Sequence, residues 1–200
     1  MRLFLVALLS LAHLPAADND AAKRLNDAAS LFSDVMGTPD QAIPQEVLEH
    51  AHCVVIVPGQ SGKGFLSCRN KNGLGWSAPR AWGIASGTGV GAQTDLIMLV
   101  MSESSAEKLL SGKFTPGVDA TDAAGPVGRN VTAENDAQMR AEILSWSRLQ
   151  GQFAGIVLQG ATLRQLANSE MAATPVEITR AAAKLIAQLD RYSARGKGTK

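Results

Sequence analysis

Cys53–Arg69, CVVIVPGQSGKGFLSCR, is the stretch on which the fold turns. Its first half is a continuous apolar, largely β-branched run, Cys53 to Val57, closed by Pro58 and Gly59. Its second half, Gly64 to Arg69, is another short extended segment. Pairing the two through the loop Gly59 to Gly62 sets Pro58 opposite Lys63, Val57 opposite Gly64 and Cys53 opposite Cys68. Directly opposed residues of an antiparallel pair hold their Cβ atoms about 4.5–5.5 Å apart, a small adjustment from the roughly 3.8 Å of a disulfide. Two readings stay open: a disulfide whose loop closure contributes about 3 kcal/mol, or two small buried thiols.

Upstream, Ala21, Leu25, Ala28, Phe32 and Val35/Met36 recur at three and four residues, with Lys23, Arg24, Asn26, Asp27, Ser30 and Asp34 between them. This spacing predicts an amphipathic helix from Asp20 to Gly37. Pro44 opens a second, shorter helix over Glu46 to Ala51. Downstream, Asn70 to Gln93 is dense in glycine around Trp76 and Trp82, and Thr94 to Met101 is a strongly apolar strand. A short helix is expected at Ser105 to Leu110, an irregular or extended stretch from Lys113 to Val131, and strands at Glu142 to Arg148 and Gly151 to Leu158. Ala161 to Asn168 and Val176 to Tyr192 read as helices, the latter with Ile178, Ala181, Leu185 and Leu189 as its buried stripe. The fold class is therefore α+β, a glycine-rich antiparallel β-sheet core with flanking amphipathic helices.

At 200 residues, 46% hydrophobic and 18% charged, the chain is apolar enough to build a core and too rich in glycine and proline for long helical rods. Residues 1–17 have a charged start, a short apolar run and small residues Ala16 and Ala17, the layout of a signal peptide. One domain over residues 18–192 and a basic, disordered tail at 193–200 are expected to follow it. The expected product is exported, periplasmic or secreted. Losing Arg2 brings the net charge from +1 to zero, so a global cationic field for nucleic acid is absent.

Enzyme signatures fail one by one. Gly59-Gln60-Ser61-Gly62-Lys63-Gly64 lacks the spacing of a phosphate loop and the following Ser or Thr. No G-x-S-x-G elbow occurs. His50 and His52 beside Cys53 do not complete a metal set. Asp119/Asp122 and Glu134/Asp136 read as solvated turns. Neither a catalytic residue, a metal nor a cofactor is implied. What remains is apolar surface beside basic residues. The first helix carries Leu25, Phe32 and Met36 near Lys23 and Arg24, and the centre places Lys63, Arg69, Lys71 and Arg80 near Trp76 and Trp82. Such a mixture suits a membrane interface; the competing reading is ordinary core packing.

GWSAP (Gly75 to Pro79), AAGPVGR (Ala123 to Arg129), SWSR and GQFAGIVLQG, in this order, resemble the SYLF domain family, specifically its exported bacterial branch. The resemblance runs from about Ala21 to Asn168. It implies an α+β domain without catalytic activity that binds anionic phospholipids, with actin binding in some eukaryotic members. It also implies contact through the amino-terminal amphipathic helix and nearby basic residues. On this chain those are Lys23, Arg24, Leu25, Phe32 and Met36, with Lys63 as a further charge partner. The alternative is an envelope module that docks another protein.

Overall fold

Strands β1 (Cys53–Val57) and β4 (Leu96–Val100) are buried at every position, and strands apolar on both faces need a cover on both. In the computed structural model the described residues are 20–71, 73–86, 95–128, 140–149, 151–158, 160–167 and 175–193. The other strands are β2 (Lys63–Cys68), β3 (Arg80–Ser86), β5 (Lys113–Phe114), β6 (Asp122–Ala124), β7 (Ile143–Leu149), β8 (Gln152–Ile156) and β9 (Thr162–Gln165). Among the described residues they form one nine-stranded sheet in the order β5-β9-β3-β2-β1-β4-β7-β6, with β8 also on β7. Every pairing is antiparallel except β6 with β7.

Helices α1 (Asp20–Gly37), α2 (Gln45–His50) and α4 (Pro175–Tyr192) cover one face, closing over Val54, Ile56, Phe65, Ile97 and Leu144. Helix α3 (Glu103–Leu110) and the chain around Phe114 and Ala120 cover the other, over Val55, Leu66, Trp82, Met98 and Leu163. The architecture is the α+β class expected. The hairpin pairs as the sequence predicts, with Cys53 opposite Cys68, Val54 opposite Ser67, Val55 opposite Leu66 and Ile56 opposite Phe65. Cys53 and Cys68 are joined as a disulfide.

Two segments differ from expectation. Within the stretch Ala161 to Asn168 expected as a helix, Thr162–Gln165 is strand β9, because its backbone completes the ladders of β3 on one side and β5 on the other. The apolar positions Leu163 and Leu166 are three apart, a spacing that fits a helix; the strand neighbours decide the outcome. The glycine-dense centre contains strand β3, which sets Trp82 into the core at 1% exposure.

Three of the strings that carry the family resemblance converge on one contact. Trp146 of SWSR is wholly buried, and its Nε1 donates to the Pro126 carbonyl at 3.0 Å. A Cβ on Gly125 would enter the Trp146 indole, and one on Gly155 would enter the Gly125 backbone. AAGPVGR and GQFAG thus supply the two bare backbones between which the indole is seated. Gly125→Ala is expected to cost about 3 kcal/mol by overpacking, read as a lowered urea midpoint. Gly37→Ala, with open space around the new methyl, should shift stability by less than about 1 kcal/mol.

Candidate anionic-surface site

Opposed residues in antiparallel strands project from the same face of the sheet. Lys63 of β2 is opposite Gly83 of β3, Gly83 is opposite Arg164 of β9, and Arg164 is opposite Lys113 of β5. Three cations therefore stand in one row across four strands, over about 14 Å at roughly 4.8 Å per strand. None of the four positions is acidic. Phe65, two residues beyond Lys63, belongs to the cluster under α1, α2 and α4, so the row lies on the helix-covered side. Lys113 and Arg164 are exposed and Lys63 is half-buried. Gly83 is required in the row because the Leu166 side chain would lie 3.2 Å from a Cβ there and the Gly62 carbonyl oxygen 2.8 Å.

The outward face of α4 adds Arg180, Lys184 and Arg191 at helical spacing, all exposed. Ala183 and Ala187 between them are short enough to leave the cations proud of the surface. Asp190, also exposed, borders this face. Arg191 also lies over the Tyr192 ring, 5.3 Å from its centroid.

The residues expected to touch lipid on α1 are placed differently. Leu25 and Phe32 are 1% and 0% exposed, and Met36 is partly buried against the same cluster. Phe32 meets Tyr192 of α4 edge-on at 6.0 Å between centroids. In this fold the apolar stripe faces the protein, and contact with a bilayer through it requires α1 to detach. Arg24 is 7% exposed, and Lys23 pairs with Asp27 at 2.8 Å. Helix α1 thus presents Lys23, Asp27 and Asp34 outward, more carboxylate than cation. Beside it a groove of about 310 Å³ is lined by Asp27, Asp34, Asp95 and Arg148. Its one cation is engaged, since Arg148 Nε lies 2.9 Å from an Asp95 carboxylate oxygen. An anionic surface is repelled here.

Neither tryptophan suggested for the interface is available to one, because Trp76 is 4% and Trp82 1% exposed. Arg69 stacks on Trp76 at 4.3 Å and donates to the carbonyls of Leu48, Ala51 and Ser193 at 3.4, 3.4 and 3.1 Å. Trp76 Nε1 donates to Ser193 Oγ at 2.8 Å, and that hydroxyl donates to the Leu189 carbonyl at 2.6 Å. This clasp ties α2, β2 and the end of α4 together. Ser193, assigned to the tail on sequence grounds, is wholly buried within it.

Comparison with known proteins finds a family and several relatives. Residues 82–185 match the family described as "Ysc84: Las17-binding protein actin regulator". The chain is 32% identical to an SH3 domain-containing protein of Schizosaccharomyces pombe over 169 residues, 75% of this chain and 39% of that protein. It is 31% identical to SH3 domain-containing YSC84-like protein 1 of Bos taurus over 166 residues, 76% of this chain and 48% of the relative. With LAS seventeen-binding protein 3 of Saccharomyces cerevisiae it shares 30% identity over 141 residues, 62% and 30% of the two chains. The chain therefore spans less than half the length of these relatives.

The carboxylates read as solvated turns include one that is not. Asp122 accepts from Leu158 N at 2.6 Å, and burial raises its pKa against the lowering effect of that bond. Asp119 caps its own turn by accepting from Thr115 N at 2.6 Å. Glu134 and Asp136 lie outside the described residues. Glu142 accepts from Thr121 N at 3.1 Å and from the hydroxyls of Ser105 and Ser102 at 2.9 and 3.1 Å, and these bonds hold its pKa down. A depressed carboxylate stabilises the fold above its unfolded pKa, and that stability is lost as pH falls through the folded pKa. Glu142→Gln should therefore melt a few degrees lower at neutral pH, the gap closing on acidification. Asp122 has the opposite sign: Asp122→Asn, which keeps an acceptor for Leu158, should gain on the wild type as pH rises through the carboxylate range. Thermal melts across that range check both.

Proposed function

The chain belongs to the Ysc84 (SYLF) family, and on that premise we propose that it is a non-enzymatic module that docks reversibly on anionic phospholipid surfaces. The observation that carries this reading is the register-built row Lys63, Arg164 and Lys113. Arg180 and Lys184 of α4 add charge on the same helix-covered side of the sheet. A basic side chain near an anionic membrane surface contributes about 1 kcal/mol, so these five supply about 5 kcal/mol, a dissociation constant on the order of 0.1 mM. Binding of this kind is peripheral and weakens as salt shortens the Debye length to about 8 Å and below. Leu25, Phe32 and Met36 remain in the core throughout. Lys23, paired with Asp27, and Arg24, buried at 7% exposure, are not the headgroup ligands.

Export with loss of residues 1–17, and a domain extending to Ser193, complete the proposal. The lipid surface is then the one facing the periplasm or the exterior. A second reading, docking of a protein partner, is favoured by the family's description as Las17-binding and by the name of the Saccharomyces cerevisiae relative. Salt separates the two, since an apolar protein interface survives screening that dissolves a charge-driven one.

Flotation with neutral and anionic vesicles tests the lipid reading. Wild type should float only with anionic vesicles, and Lys63→Glu/Lys113→Glu/Arg164→Glu should lose at least tenfold of that binding with an unchanged circular dichroism spectrum. Equal flotation on neutral vesicles, or full binding by the folded triple variant, would overturn it.

A further inference from the structure

The Cys53–Cys68 disulfide is not sealed inside the sheet. It borders a cleft of about 290 Å³ between the ends of β1 and β2 and helix α3, together with His52, Lys71, Glu103 and Glu107. Both cysteines line the cleft; Cys68 is half-buried and Cys53 is 1% exposed, so Cys68 is the residue with surface open to an incoming reagent. The volume is at the lower end of small-molecule sites. The walls are of opposite charge: Lys71 stands on the strand side, Glu103 and Glu107 on the α3 side. A ligand suited to such a cleft carries both carboxylate and ammonium groups.

We infer that Cys68 is a thiol–disulfide exchange site for a small zwitterionic peptide thiol of the glutathione type. The thiolate of that molecule attacks Cys68 Sγ. A new S–S bond forms there, the Cys53–Cys68 bond breaks, and the electron pair departs on Cys53 Sγ, which takes a proton from solvent in the cleft. The product is a mixed disulfide on Cys68 and a free thiol at Cys53. A second peptide thiol can then displace the first, releasing its oxidised dimer and leaving both cysteines reduced. Two thiols thus supply the two electrons the protein disulfide accepts. Exchange proceeds through the thiolate of the attacking reagent, and a nearby cation favours that form. Lys71, exposed at the cleft mouth, is placed to do so.

This site is independent of the lipid surface, and its test reads masses, not binding. The intact folded protein is incubated without denaturant with reduced glutathione, or with uncharged 2-mercaptoethanol at equal thiolate concentration. Peptide mapping then locates the adduct. Glutathione should add to Cys68, faster than 2-mercaptoethanol. Lys71→Glu should slow the glutathione reaction several-fold and the 2-mercaptoethanol reaction, whose only charge is that of its thiolate, by less. Glu107→Lys, also on an exposed side chain, sets a cation where the ammonium group would lie and should slow the glutathione reaction as well. Modification that requires denaturant, an adduct on Cys53, or glutathione rates indifferent to both charge reversals would each overturn the inference.

Discussion

Two central strands with no polar face govern the rest of the molecule. Because β1 and β4 are apolar above and below, the chain must supply a cover for each side, and α1 with α4 is the cover for one of them. The hydrophobic stripe of α1 is consumed in that task. Releasing it to a bilayer would return the transfer energy of Leu25 and Phe32, about 1.5–3 kcal/mol each, and would simultaneously expose Val54, Ile56 and the inner face of α4 to water with nothing to replace the helix. The second effect is the larger, since it uncovers several side chains for each one inserted. Charge on the outer surface needs no such rearrangement, which is why the surface reading rests on cations and not on the stripe.

The segments that identify the family are packing devices. GWSAP places Trp76 under Arg69 and against Ser193. It also sets Ser77 to accept from Cys68 N through its hydroxyl, at 3.1 Å, while Ser67 donates to the Ser77 carbonyl at 2.7 Å. The glycines of AAGPVGR and GQFAG make room for one indole. These strings explain why the resemblance predicts the architecture well. They do not mark a binding site, and the cationic row uses residues outside them.

What could be read from the chain follows the range of the interactions involved. The hairpin register at residues 53–68 was legible because a short loop and two apolar runs leave few alternatives. Helices α1 and α4 declared themselves by period. Strand β9 was misread because Leu163 and Leu166, three apart, follow the helical period, and only the distant neighbours β3 and β5 make the segment extended. Misreading it as a helix concealed the site as well. Arg164 becomes a neighbour of Lys113 and a near neighbour of Lys63 through register alone, and the row joins positions about 100 residues apart in sequence. The one signal available beforehand was Lys63 itself, singled out as a charge partner for the wrong helix. Ser193 was missed for a similar reason: its partner Trp76 lies 117 residues away.

In the proposed docking the domain meets its surface as a closed body, with α1 in place. Hydrogen exchange of the folded protein, free and bound to anionic vesicles, tests this most directly. Amides of α1 should keep the same slow exchange in both states, while the segments around Lys63, Lys113 and Arg164 slow on binding. Accelerated exchange along α1, or protection that appears there while those three segments stay unchanged, would contradict it.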